Sequence, residues 1–158
     1  MRQHLAPERR EARAACQITA STSASLGSAS SYDVRAGGVA RTASFAGFRC
    51  NGAAISLVSS NYARATMTSA NGFTLKRAGS ADAIAYVVSA DQNGVHPFSQ
   101  GSTFDYMDAS VLSLLGILNG STLEPAIFML PTAGANISAG TYGDTLTIQW
   151  SWRVCHGV

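Results

Sequence analysis

Thr145-Leu146-Thr147-Ile148-Gln149-Trp150-Ser151-Trp152-Arg153-Val154 is the stretch that decides the fold class. Leu146, Ile148, Trp150, Trp152 and Val154 fall on one side of an extended chain, and Thr145, Thr147, Gln149, Ser151 and Arg153 fall on the other. This strict period of two is what a half-buried antiparallel strand requires, whereas helical spacing would scatter the same apolar side chains around the axis. Working outward from it, Ala126 to Leu130 is a short apolar run ended by Pro131, and Ile84, Tyr86 and Val88 alternate within Ala83–Val88. Phe73 and Leu75, Ile55 and Leu57, and weakly Ile18 to Leu26 repeat the pattern. Asn-Gly, the strongest short hairpin signal, stands between such stretches at 51–52, 71–72, 93–94 and 119–120. One segment differs. Val111, Leu112, Leu114, Leu115 and Leu118 suit a short amphipathic helix over 108–118 capped by Asp108, or a buried strand of irregular pattern.

The composition agrees with an all-β domain. Charged residues make up only 13% of the 158 residues, against roughly 25% in an average domain. Ser, Thr, Ala and Gly replace them, residues that suit strands and tight turns better than long helices. The net charge of +2 belongs to the first fourteen residues, where Arg2, Arg9, Arg10 and Arg13 outnumber Glu8 and Glu11 by two. The remaining chain is balanced and offers no electrostatic footprint for nucleic acid, so no nucleic-acid partner is expected. No segment approaches the ~18 apolar residues of a membrane helix.

Residues 1–14 read as a signal-peptide remnant or a disordered tail, and residues 15–158 as one β-sandwich domain. Ala12-Arg13-Ala14 fits the small-x-small pattern of a cleavage site, but Met1 to Glu11 is polar and lacks the apolar stretch of a leader. Cys16, Cys50 and Cys155 have no C-x-x-C spacing, which leaves zinc and redox-motif readings without support. Cys16 and Cys50 begin and end the first structural section. A bridge between them would close a loop of 34 residues, worth about 3–4 kcal/mol in the chain-entropy model. Cys155 is then either free or paired outside this sequence.

A search for chemistry returns no catalytic residue, no metal ligand set and no cofactor motif. G-x-S-x-G, H-E-x-x-H and a phosphate-binding glycine loop are all missing, and His4, His96 and His156 are scattered. Asp105 and Asp108 could share a helix face, but solvated loop charges or a cap account for them more simply. Asn119-Gly120-Ser121 and Asn136-Ile137-Ser138 match the N-glycosylation sequon only weakly. Tyr142, shortly before the last strand, suits a hydroxyl anchor at a sheet corner.

Several motifs taken in order resemble the spore coat protein U domain family, which includes subunits of the archaic chaperone–usher pili. Cys16-Gln17-Ile18 leading to Leu26-Gly27 and Ser31-Tyr32-Asp33 resembles the family's first strand and turn. Phe48-Arg49-Cys50-Asn51-Gly52 stands where its second cysteine falls, and Arg64-Ala65-Thr66-Met67 looks like its Arg-x-Met/Leu element. Leu75 and Ile84-Ala85-Tyr86-Val87-Val88, followed by Asp91, look like its central strand. Gly140-Thr141-Tyr142-Gly143-Asp144-Thr145 looks like its closing Gly-x-Tyr-x-Asp-Thr element, and the resemblance extends from about Ala15 to Trp152. The stretch from Gly101 to Glu124 is longer than the usual connection, and the ending Trp150 to Cys155 is atypical of a major pilin.

The resemblance implies an immunoglobulin-like antiparallel β-sandwich that lacks one strand and is completed by a donor strand. It implies a structural rather than enzymatic role, as a pilus subunit in adhesion and biofilm formation. Its partners would be a periplasmic pilus chaperone, an outer-membrane usher and neighbouring subunits, with a path through the periplasm to the cell surface. Leu146, Ile148, Trp150 and Trp152 are then expected to face the donor-strand groove or the adjoining core. Residues 1–15 lack the alternating apolar pattern of a donor strand, which points to a minor or tip subunit or to a missing true N-terminus. The competing expectation is a self-contained secreted coat protein or a carbohydrate- or surface-binding sandwich.

Overall fold

The computed structural model describes residues 15–19, 23–51, 62–108, 118–119 and 122–153. Among these residues, eleven strands and one short helix follow in chain order: β1 (Ala15–Ile18), α1 (Ser31–Ala36), β2 (Thr42–Phe45), β3 (Phe48–Asn51), β4 (Tyr62–Ser69), β5 (Thr74–Lys76), β6 (Ala83–Ser89), β7 (Ser102–Asp105), β8 (Leu118–Asn119), β9 (Thr122–Leu123), β10 (Ala126–Pro131) and β11 (Leu146–Arg153). They form sheets ordered β1-β3-β9-β8, β2-β10-β6-β5 and β11-β4-β7, and every pairing between them is antiparallel. The expected all-β, antiparallel architecture is what the chain adopts.

Alternation places the core. Ile84, Tyr86 and Val88 of β6 are buried, as are Ile127 and Met129 of β10, and they meet Ala65 and Met67 of β4 and Trp150 of β11 in one hydrophobic cluster. The opposite faces of these strands carry Arg64, Thr66, Thr147 and Gln149, which leaves their polar groups in water. The longest register is β11 on β4, from Leu146 opposite Ser69 to Arg153 opposite Tyr62. A disulfide joins Cys16 to Cys50, direct cross-strand neighbours of β1 and β3, with Cys50 fully buried.

Some expectations resolve differently. Of the alternation read over Ile18–Leu26, Ile18 belongs to β1, Thr19 and residues 23–26 are in no strand, and residues 20–22 lie outside the described residues; residues 27–30 are likewise in no strand. Their Ser, Ala and Gly side chains give a sheet little apolar surface to hold. Helix α1 follows, a short element the apolar periodicity does not announce but the caps do. Ser30 accepts the Asp33 N–H at 3.0 Å, and Gly37 ends the helix at φ 81°. Asn71-Gly72 is not a hairpin, because β4 pairs with β11 and β7 while β5 pairs with β6. The Ser69 hydroxyl accepts the N–H groups of Asn71 and Phe73 at 3.2 and 2.7 Å, and Phe73 takes φ 58°, turning the chain from one sheet to another. Asn93-Gly94 does lie in a chain reversal, closed by the Ser89–Pro97 bridge, and Asn119 pairs with Thr122 across the β8–β9 return. The segment expected to be helical over 108–118 falls mainly outside the described residues, with Leu118 belonging to β8. The Ile55–Leu57 strand, Val154 and Cys155 also lie outside them.

Candidate functional site

β11 is an edge strand. Among the described residues it pairs with β4 on one side and with nothing on the other. An unpaired edge presents a row of backbone N–H and C=O groups, each of which gains from a partner. Along this edge lies a cleft of about 1220 Å³. Its floor is the inner face of the β2-β10-β6-β5 sheet, with Leu75, Ile84, Tyr86, Ile127 and Met129, and Val34 of α1 reaches it as well. The unpaired residues 23–30 and the run-up to β11 at 137–145 form its margins.

Sequence patterning singled out four β11 residues, and the fold separates them. Leu146 and Ile148 line the cleft and are partly buried against the core. Trp150 lines its end and is 7% exposed. Its ring stacks on Phe48 at 4.3 Å and lies 5.5 Å from Tyr106, and its indole N–H donates to the Ala46 carbonyl at 3.2 Å. Trp152 is not among the residues lining the cleft. It rests against Phe48, 5.2 Å between ring centroids, and is 38% exposed. Cys16 and Cys50 sit behind this end, on the strands that carry Ile18 and Phe48.

The other end of the cleft is polar and tightly bonded. Asp144 accepts from the Ser69 hydroxyl, from the Tyr86 hydroxyl at 2.6 Å, and from the N–H groups of Asn71 and Thr145 at 3.0 and 2.7 Å. Burial, and then donation to the Asp144 carboxylate, push the Tyr86 phenol above its ordinary range, so it stays a neutral donor. Tyr142 donates its hydroxyl to the Ser138 carbonyl at 2.7 Å, four residues upstream, a corner anchor of the kind its position suggested. Asp82 accepts from the hydroxyl and N–H of Ser138, and these bonds hold its carboxyl below the usual range.

Beyond the cleft, Asp91 is 4% exposed and accepts the N–H groups of Asn93, Val95 and His96 at 3.0, 2.9 and 2.7 Å. Burial alone would raise its pKa. The three donors outweigh burial and hold the carboxyl below its ordinary value. Sequence reading placed Asp91 only as a family position. Its role in folding a loop was legible in principle, since Asp followed by Asn-Gly two residues later is loop chemistry. Among the described residues, no group of three or more His, Cys, Asp or Glu side chains could hold a metal ion. No helix there is long and apolar enough to cross a membrane.

The family model of the Spore Coat Protein U domain matches residues 9–149. Two solved structures share the fold. The first is a chain of the CsuC–CsuE chaperone–tip adhesion subunit pre-assembly complex from archaic chaperone–usher Csu pili of Acinetobacter baumannii, with TM-score 0.63 and 18% identity. That match covers 90% of this chain and 47% of the other, so the chain spans about half the length of that neighbour. The second is the P pilus rod subunit PapA, with TM-score 0.55 and 16% identity, covering 87% of this chain and 99% of that one. No curated protein matches the chain.

Proposed function

The chain belongs to the Spore Coat Protein U domain family, and on that premise we propose that it is a structural subunit of a surface pilus, assembled by the chaperone–usher route through donor-strand exchange. The observation that carries this reading is the apolar cleft beside the one-sided edge of β11. Such an edge invites strand addition, in which backbone hydrogen bonds supply affinity and alternate side chains supply register. A periplasmic chaperone would lend a strand first. An extension from a neighbouring subunit would then replace it as the outer-membrane usher adds the subunit to the fibre. One of the fold neighbours is itself a chaperone–subunit pre-assembly complex, which supports this order of partners.

The disulfide supports export, since such bonds persist in oxidising compartments such as the periplasm. A subunit of this kind serves the cell surface in adhesion and biofilm formation, as a scaffold and not as an enzyme. The test is periplasmic expression of the full chain with and without its pilus chaperone, followed by size-exclusion chromatography and thermal melting. A soluble one-to-one complex, with aggregation or a low melting point when the chaperone is left out, is the expected result. A sharp, high-temperature melt of the lone monomer would overturn the reading in favour of a self-contained coat or binding domain.

A further inference from the structure

The Asn71-Gly72 and Asn93-Gly94 pairs stand in turns of the same kind, yet their asparagine side chains are held differently. The Gly72 N–H reaches the Ser69 carbonyl at 3.4 Å, and the Gly94 N–H reaches the Asp91 carbonyl at 3.3 Å. Both glycines are left-handed, with φ 66° and 75°. Asn71 is half-buried and tied down. Its N–H donates to Ser69 Oγ and to Asp144 at 3.2 and 3.0 Å, and its carboxamide donates to the Gly143 carbonyl at 3.3 Å. Asn93 is exposed, and its N–H donates to Asp91 at 3.0 Å. Among the described residues its carboxamide makes no hydrogen bond. Glycine puts no side chain beside its own nitrogen, so a free asparagine carboxamide can approach the amide that follows it.

A cation is fixed at the second turn as well. Arg41, just before β2, donates from Nη1 to the Gln92 carbonyl at 2.7 Å. A Cβ placed on Gly94 would lie 2.9 Å from Arg41 Nη2, so the guanidinium stands directly against this glycine. Among the described residues no carboxylate lies within ion-pair distance of Arg41. A positive charge held there favours loss of the Gly94 amide proton and the oxyanion that develops on the Asn93 carboxamide.

We propose that Asn93-Gly94 is a self-modification site, at which Asn93 deamidates under the influence of Arg41. The Gly94 nitrogen attacks Asn93 Cγ and a C–N bond forms. The carboxamide nitrogen leaves as ammonia, carrying away the proton that Gly94 gave up. Water then opens the resulting succinimide at one carbonyl or the other, giving aspartate or isoaspartate. Either product sets a new carboxylate beside Asp91, which accepts the N–H groups of Asn93, Val95 and His96. Isoaspartate also lengthens the backbone by a carbon, so those three donors no longer converge on Asp91. The loop between β6 and β7 is thereby released at a rate set by the chain's own groups.

The test holds the full chain, disulfide intact, in warm and mildly alkaline buffer. Samples taken over time are digested with chymotrypsin, and each asparagine is scored by tandem mass spectrometry for conversion to the acid. In the folded chain Asn93 should convert about tenfold faster than Asn71, because the bonds to Asn71 must break before its carboxamide can turn. In urea the two rates should converge, since the dipeptide is the same. Arg41→Gln should slow Asn93 severalfold in the folded chain and leave Asn71 unchanged. If that variant does not fold, high salt on the parent chain screens the cation and should slow Asn93 alone. A folded-state rate at Asn93 no faster than at Asn71 would overturn the site. A difference that persists in urea would trace the effect to local sequence and overturn the structural account. A rate indifferent to Arg41→Gln, or to salt where that variant does not fold, would remove Arg41 from it.

Discussion

The two outer edges nearest the cleft are treated in opposite ways. β5 has its free side occupied, because Lys76 and Gly143 exchange N–H to carbonyl bonds at 2.9 Å each. Around that contact, Asp144, Tyr86, Ser69 and Tyr142 form a polar clasp between sheet and loop. β11 begins only three residues later and has no partner on its outer side among the described residues. Its far end is held by an aromatic stack and one indole hydrogen bond. Unpaired edges are commonly covered in native sheets, so the open edge of β11 is the place where the proposed strand addition would act. The contrast is also chemical. Directional polar bonds seal the closed edge, and packing shapes the open one.

Truncating the packing should have the largest effect. Trp150→Ala removes the ring between Phe48 and Tyr106, and the loss is expected to be about 3–5 kcal/mol in chemical denaturation of the full chain. The open side also depends on the disulfide behind it. Cys16→Ser combined with Cys50→Ser should lower stability by about 3–4 kcal/mol in non-reducing buffer, and adding reductant to that variant should change nothing further. Equal stability of the variant and the oxidised parent would show that the bridge does not brace this end.

At the closed edge the expected loss is smaller. Asp144→Ala removes a half-buried acceptor of four hydrogen bonds, and partial exposure limits the cost to about 1.5–3 kcal/mol, read as a lowered denaturation midpoint. A loss as large as that of Trp150→Ala would erase the distinction between a bonded edge and a packed one. Asp91, which neither lines the cleft nor belongs to the polar clasp, serves as the control. Its folded pKa lies below the unfolded value of about 3.9, so its contribution is present above that value and is lost as pH falls through the folded pKa. Asp91→Asn should therefore melt lower than the parent at neutral pH. The gap should close on acidification, and a gap that persists at the lowest pH would mean the carboxylate charge is not what folds the loop.

How much of this was legible beforehand depends on how local the signal is. Alternation in Leu146–Trp152, in Ile84–Val88 and in the run ending at Pro131 reports each strand from its own residues, because side chains of an extended chain alternate regardless of what it pairs with. Cysteine position likewise singled out the bridge that forms. The strand β4, with every second residue buried, is equally regular, but its small Ala63 and Ala65 give little hydrophobic contrast to read. The Asn71-Gly72 signal is truthful about a turn and silent about which sheet the chain enters next.

The sequence by itself determined an all-β domain of spore coat protein U type, with the inner faces of its most strongly patterned strands and its disulfide. Only the tertiary structure decided that β11 pairs on one side among the described residues, that Trp150 lines the cleft while Trp152 does not, and that Asp144 bonds the loop to the sheet at the opposite edge. Each of those depends on contacts between residues far apart in the chain, such as β11 with β4 and Trp150 with Ala46. A period-two pattern states which way a side chain points. It cannot state which strand lies beside it or whether the neighbouring place is empty.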